Sequence, residues 1–533
     1  MKLSNKKNIG WWLLTVALVI GLVLRFYKLG KIPTSLYWDE TAIGYDAFAL
    51  TQWGKDMHGN PGFQAIFPSY GDYKLPMYIW FSAATERFFG PTPMAVRLPS
   101  AMAGIGIIIV SYLIAYELFS SYRIAGLTAV VTSVLPIDIL FSRTGFEGHL
   151  ATFFVGLTLY LWLASRKRNW LLFLTSASAA AAVYSYFSAR IVIPLAALIT
   201  FGAFFQQTSW RWKGLAVVSL GIWFVLLLPI FKSPFYSASD QFRMSTTNLT
   251  DVGPFALQSN VLREQSGNTF LTRIVYHRRL LQAKAILSQI ADHADFDYLF
   301  VSGDINLRHS TGRVGVMFFW MLPVLVIGVS ILTHQAALGC WFFGLWVAFV
   351  VPAAIPIEVP HALRSMNTLL LFPIVIAVGI DYVWRRRQFL FLGGVGIIAI
   401  IELVSFGHDY ITHYPSTSAS AWQSGYFEIA TYLKQHESEF DSCTIGYPDG
   451  RLYLYFLFDH QVDPQKTSQA GNQFMIDAIG KYQFKSVHQL PHGARSWVAV
   501  DQITWIHLGQ PPAVTITDFS GTPQFYVITG ISK

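Results

Sequence analysis

Charge is what this chain has least of. Only 13% of its 533 residues are Asp, Glu, Lys or Arg, against 53% hydrophobic. A soluble protein carries about 25% charge, so the composition excludes a wholly soluble chain and points to an integral membrane protein with some water-exposed mass. Cysteine is nearly absent: Cys340 stands in an apolar run and Cys443 in the polar C-terminal part. A disulfide framework and a cysteine metal site are therefore not expected. Glycine-rich phosphate loops of the P-loop or dinucleotide type are missing, and there is no internal repeat or low-complexity tract beyond a short linker at Ser416 to Ser420. The formal net charge is +8, but the basic residues cluster briefly between apolar runs, as cytoplasmic loops do. Nucleic acid is not an expected partner.

What is present is long apolar runs. A helix crosses a bilayer with about 20 apolar residues, because backbone groups left unpaired in lipid are too costly. Such runs lie near 9–25, 98–119, 124–141, 149–165, 170–187, 191–206, 214–231, 314–334, 338–354, 365–383 and 388–404, which predicts an α-helical polytopic membrane protein with about 11 transmembrane helices. Lys2, Lys6 and Lys7 precede the first run, and Arg25 and Phe26 follow it in place of a small-residue cleavage site. It reads as a retained first helix. With the N-terminus cytoplasmic, Arg123, Arg166-Lys167-Arg168, Arg211 with Lys213, and Arg385-Arg386-Arg387 all fall inside, as the positive-inside rule asks. The loop near His334 is nearly uncharged. The run from Leu75 to Phe89 contains Glu86 and Arg87; it is too short to cross and reads as a helix on the outer surface.

Two large outer loops result, 26–97 and 232–313. In the second, Tyr276, Leu280, Ala283, Leu287 and Ile290 recur at helical spacing, an amphipathic helix suited to the membrane interface. The sequon Asn248-Leu249-Thr250 is a triplet that chance supplies and carries no weight. From 405 the composition changes. Gly425 to His436 reads as a helix, Ser442 to Tyr447, Trp497 to Val500 and Gln524 to Ile528 as strands, and Tyr447-Pro448-Asp449-Gly450 as a turn. The expected organisation is a membrane domain over 1–404 and a small α/β extracytoplasmic domain over 405–533.

Against this topology the few ionisable residues collect at the outer ends of the helices. Asp39 and Glu40 sit among aromatics in Leu36-Tyr37-Trp38-Asp39-Glu40, just after the first helix; Lys74 precedes the surface helix. Arg143 and Glu147 lie in the short second outer loop, Arg190 ends Tyr184–Arg190, and His361 and Arg364 lie in Val359–Arg364. Asp304, Arg308 and His309 form a possible substrate loop or an ordinary polar one. An arginine at a helix end more often snorkels to headgroups than binds a substrate. Together, however, carboxylates and cations on one side of a bilayer suit a reaction in which a hydroxyl loses a proton while a phosphate gains charge. With no nucleotide loop, a lipid-borne donor is favoured, and its tail and the groove would position the reactants together.

The helix followed by Asp39-Glu40, Lys74-Leu75-Pro76 before a surface helix, and Ala95-Val96-Arg97-Leu98-Pro99-Ser100 opening the second helix resemble the membrane glycosyltransferases of the C superfamily. The likeness is to protein O-mannosyltransferases and lipid A aminoarabinose transferases; it covers roughly residues 1–200, and the His361–Arg364 loop more weakly. It implies inverting sugar transfer from a polyprenyl phosphate to an acceptor on the outer face, whether protein, lipid or polysaccharide. Asp39 then matches the general base, Glu40 its neighbour, Glu147 a second acidic position where the family more usually has aspartate, and Lys74 a donor-phosphate contact. Arg143, Arg190, His361 and Arg364 join the phosphate-binding set by topology. The resemblance fixes no cofactor but allows a divalent cation, which some members hold at the second acidic position and many work without. The rival readings are a transporter or flippase, which would place its charges at mid-bilayer in related halves, a surface polysaccharide ligase, and a non-catalytic sensor.

Overall fold

The computed structural model describes residues 2–245, 253–356, 358–446, 451–467, 476–488 and 495–529. The sequon at 248–250 and the turn at 447–450 lie outside the described residues. Each of the eleven apolar runs overlaps helix among the described residues, though not always one helix over its full length. Seven are long and apolar enough to cross a membrane, beginning with Lys7–Phe26 and Pro93–Phe119 and ending with Phe389–Thr412; a bent pair would make an eighth. Leu171–Ser185, Met321–Thr333 and Ala336–Val350 are shorter apolar helices. The run at 314–334 is helical only from Met321. The protein is a multi-pass membrane protein with a small sheet in its C-terminal part.

The chain divides into two units. The first comprises Met1–Arg25, Ala103–Phe141 and Glu147–Val404; the second comprises Phe26–Met102, Ser142–Phe146 and Ser405–Lys533.

In the first unit small residues let helices touch. A Cβ on Gly328 would lie 2.0 Å from the Val375 carbonyl oxygen, and one on Gly379 2.0 Å from that of Val324. Only glycine permits this approach between Met321–Thr333 and Phe372–Arg385, the small-residue packing common between membrane helices. The run 124–141, read as one helix, is instead broken: Tyr122–Ser133 and Pro136–Ser142 meet at 59°. Pro136 has no N–H to continue the helix, and the break leaves carbonyls without helical partners. Arg25 answers them, donating from Nη1 to Ser133 O (3.0 Å) and from Nη2 to Thr132 O (3.3 Å), and it pairs with Asp138 beyond the break. Asp138 Oδ1 lies 2.8 Å from His149 Nε2. All three side chains are fully buried. The basic clusters assigned to one side of the membrane also converge: Arg123 and Arg385 both pair with Asp381, Lys167 with Glu117 (2.6 Å), and Arg166 bonds Gln207 (3.3 Å). The expected amphipathic helix is present as Arg278–Asp292, with Leu280 and Leu287 exposed.

In the second unit the first loop and the C-terminal extension share one core. Leu36, Tyr45, Phe48 and Val96 pack with Tyr426, Ile429, Leu454 and Phe456, so the structure groups the chain differently from a break after 404. The helix Tyr453–Asp459 explains why: Tyr453 to Phe458 are all buried, and a helix apolar all round must be enclosed. It packs on Trp38–Trp53 at Gly44, where a Cβ would meet Phe458 at 2.6 Å. A short hairpin pairs β1 (Phe67–Pro68) with β2 (Tyr73–Lys74). The sheet has β3 (Ser442–Gly446), β4 (Ala478–Ile479), β5 (Tyr482–Phe484), β6 (Ser496–Val500), β7 (Val514–Thr517) and β8 (Pro523–Ile528) in the order β4-β5-β3-β6-β8-β7. Strand β3 runs parallel to β5 and β6, and the outer pairs are antiparallel. The three expected strands and the helix Tyr426–Gln435 are all found.

Candidate functional site

Asp39 lies in the first turn of Trp38–Trp53, where the helix dipole favours a negative charge. The hairpin brings two donors to it: the Tyr70 hydroxyl and the Lys74 ammonium both donate to Asp39 Oδ1, and Lys74 also pairs with Asp72 Oδ2 at 2.9 Å. Burial pushes the Asp39 carboxyl upward, but the Lys74 charge and hydrogen bonds from Lys74, Tyr70 and Tyr37 outweigh it and hold the group below the ordinary aspartate range. Tyr70 moves the other way, raised by burial and by the Asp39 charge, so it stays a donor. Arg451, from the C-terminal extension, lies 4.4 Å from the Trp38 ring and 5.1 Å from the Tyr70 ring. Sequence reasoning missed Tyr70, Asp72 and Arg451. Tyr70 and Asp72, within four residues of Lys74, were within reach of a hairpin argument; nothing in the sequence ties Arg451 to Asp39.

Glu40, the neighbouring carboxylate, has a different environment. It is fully buried and accepts from Arg97 Nε (2.9 Å) and Nη2 (3.0 Å), from the Tyr37 N–H (3.3 Å) and from the Gly145 N–H. Arg97 also donates to Pro33 O at 2.9 Å and to Ser35 O. Both Glu40 oxygens are thus committed to holding the first loop, the helix beginning at Pro93 and the segment Ser142–Phe146 together. Arg143 acts similarly. Its Nη2 donates to Tyr27 O (2.7 Å) and Ile32 O (3.3 Å), and the guanidinium lies over the Tyr410 ring at 5.1 Å.

The remaining expected residues belong to the first unit. Glu147 opens the helix Glu147–Ser165 and is half-buried. Arg190 pairs with Asp240 (3.0 Å) and lies over Phe187 (4.8 Å). The structure brings together His361 with Asp304 and His309, which the sequence had placed in a different loop. His309 Nδ1 is 3.0 Å from Asp304 Oδ2, the two imidazole centroids are 4.9 Å apart, and all three side chains are buried. His293 joins them: its Nε2 accepts the His361 N–H at 3.2 Å, while its Nδ1 lies 2.8 Å from Gln289 O. Burial lifts the Asp304 carboxyl, but the His309 hydrogen bond and charge, the His361 charge and the Ala362 N–H overcome this and bring it to about 2. Burial pushes His361 well below the usual imidazole value, and the His309 and Arg364 charges add to this. Arg364 and Arg308 are half-buried beside the group; Arg308 bonds Asn306 Oδ1 through its N–H (3.0 Å) and Nε (3.3 Å).

A divalent cation suits these places unequally. Asp39 already faces the ammonium of Lys74, which a metal ion would repel. Among the described residues the group with the right donors is Asp304, His309 and His361.

Residues 73–231 match the sequence family described as dolichyl-phosphate-mannose-protein mannosyltransferase. ArnT from Cupriavidus metallidurans, solved both in the apo state and bound to undecaprenyl phosphate, is 12% identical; 98% of this chain and 98% of that chain are covered, with a TM-score of 0.58. The archaeal oligosaccharyltransferase AglB from Archaeoglobus fulgidus, solved in complex with an inhibitory peptide and a dolichol-phosphate, is 11% identical, covering 92% of this chain and 69% of that one with a TM-score of 0.52. An uncharacterized protein from Aquifex aeolicus (strain VF5) is 27% identical over 189 residues, which is 34% of this chain and only 35% of that relative. At these identities the solved structures speak to fold. The sequence match to that family is confined to residues 73–231, while the likeness in fold to ArnT extends over nearly the whole chain.

Proposed function

We propose that the protein transfers a sugar, with inversion, from a polyprenyl-phosphate donor to an acceptor on the outer face of the membrane, the N-terminus being cytoplasmic. The observation that carries this reading is Asp39: a half-buried carboxylate at a helix start, kept ionised by one lysine and one tyrosine, in a chain whose fold matches ArnT over nearly its whole length. Asp39 is the general base. An acceptor hydroxyl or amine attacks the anomeric carbon, Asp39 takes its proton, and the bond from that carbon to the phosphate oxygen breaks with the electron pair leaving on the polyprenyl phosphate. Base catalysis of this kind contributes about 10²–10⁴-fold.

Lys74 links donor binding to basicity. A donor phosphate competes for its ammonium, and each interaction withdrawn from Asp39 lets burial raise the carboxyl and strengthen it as a base. Arg451 supplies a further cation beside the same residues. Glu40 acts through position, by fixing the helix start that carries Asp39. The test is a screen of the purified protein against several radiolabelled polyprenyl-phosphate sugars with protein, lipid and polysaccharide acceptors. Label must reach one acceptor class with the wild type and fail to do so with Asp39→Asn. Transfer by Asp39→Asn at the wild-type rate would remove Asp39 as the base.

A further inference from the structure

We infer that Asp304, His309 and His361 form a binding site for a divalent transition-metal ion of the zinc type. The group does not include the second acidic position, Glu147, and does not depend on the transfer reading. One nitrogen or oxygen from each residue lies within 4.8 Å of the others. Zinc takes nitrogen and oxygen ligands tetrahedrally at about 2.0–2.2 Å, which places neighbouring ligand atoms about 3.3 Å apart. The Asp304–His309 pair already stands at 3.0 Å. The edges to His361 lie within 4.8 Å and must shorten to that spacing for the ion to be held, with the two imidazole planes inclined at 42°.

The surroundings are arranged as metal sites are. Backbone N–H groups orient the carboxylate: Asn306 donates to Asp304 Oδ1 (2.9 Å) and Ala362 to Oδ2 (2.8 Å). A carboxylate has about four lone-pair positions, so these two bonds set its plane without exhausting it. The backbone of His361 is held in turn by His293. Outer partners of this kind fix ligand orientation in metal sites. Two imidazoles and one carboxylate suit zinc better than calcium or magnesium, which take oxygen ligands almost exclusively. Three protein ligands also leave a fourth position for water or an anionic oxygen. The donors come from two loops, the one following Phe296–Phe300 and the one following Ala336–Val350, so a bound ion would tie them together.

The test uses the full chain in detergent, purified on a tag without histidine, loaded with Zn²⁺ or Co²⁺ and dialysed. The wild type should retain about one ion per chain by mass spectrometry, show the visible absorption of tetrahedrally bound Co²⁺, and unfold at a higher temperature with metal than after chelation. His309→Ala and His361→Ala should lose at least about nine-tenths of the bound metal, and Asp304→Asn should bind more weakly. The control His334→Ala, at an exposed histidine outside the group, should keep it. The wild-type measurements stand even if a variant fails to fold. No retained ion and no metal-dependent stabilisation in the wild type would overturn the assignment, as would full metal content in folded His309→Ala and His361→Ala.

Discussion

Adjacent carboxylates at 39 and 40 should give opposite phenotypes. Glu40→Gln removes the charge from a fully buried pair in which Arg97 donates twice, at 2.9 and 3.0 Å. The guanidinium then stays buried with only carbonyl partners, and stranding one member of a buried pair costs about 3–5 kcal/mol. Asp39→Asn strands nothing, because Lys74 keeps Asp72 at 2.9 Å and the amide oxygen can still accept from Tyr70; its cost should be near about 1 kcal/mol. For a unit of this size about 3–5 kcal/mol corresponds to a fall of about 10 °C in the unfolding midpoint. Membrane proteins in detergent often unfold irreversibly, so half-lives at one temperature are the safer comparison. Glu40→Gln should shorten the half-life sharply while surviving folded protein retains Asp39-dependent transfer. Asp39→Asn should keep a near-wild-type half-life and lose about 10²–10⁴ in rate. A thermally normal Glu40→Gln protein without activity would place Glu40 in the chemistry and refute this division.

Three further outcomes follow from neighbouring residues. The Asp39 carboxyl is held below the ordinary aspartate value, so the acid limb of the wild-type pH–rate profile should lie low; Lys74→Met leaves only the Tyr70 and Tyr37 hydrogen bonds against burial and should move that limb to higher pH, and an unmoved limb would break the link between Lys74 and Asp39. Glu86 is 4% exposed with neither carboxyl oxygen hydrogen-bonded, and burial raises it to about 9. Because the folded value lies above the unfolded one, its stabilising protonated form is complete below the unfolded value and stability declines as pH rises toward about 9; Glu86→Gln should flatten this decline, which half-lives measured at both ends of the range will show. Arg451→Ala should lower transfer from the polyprenyl-phosphate donor, because it removes a cation that lies 4.4 Å from the Trp38 ring and 5.1 Å from the Tyr70 ring; unchanged activity would detach the extension from the Asp39 site.

Much of the fold was legible because lipid imposes a simple rule on a chain. Backbone groups must be paired within each crossing segment, so the apolar runs became helical over most of their length, and the strands at Ser442, Trp497 and Gln524 showed through their alternation and apolar clusters. The break before Pro136 was less legible, since proline is tolerated in membrane helices when another side chain answers the freed carbonyls. Here that side chain is Arg25, more than a hundred residues earlier. The candidate site divides in the same way. Asp39 and Lys74 stood out as scarce charges in an apolar chain, whereas the structural work of Glu40 and Arg143 depends on carbonyls and rings that no local pattern names.

The amino-acid order alone determined that the chain crosses a membrane repeatedly, which ends of its helices gather the basic residues, and which few acids were candidates for chemistry; these follow from hydropathy and charge counted along the chain. Tertiary structure decided which of two adjacent carboxylates faces a lysine and a tyrosine and which is enclosed by an arginine. It also decided that the C-terminal extension shares a core with the first loop, and that an aspartate and a histidine of one loop converge with a histidine of another. Those outcomes depend on distances between residues far apart in the chain, and such distances are set only when the apolar surfaces have packed.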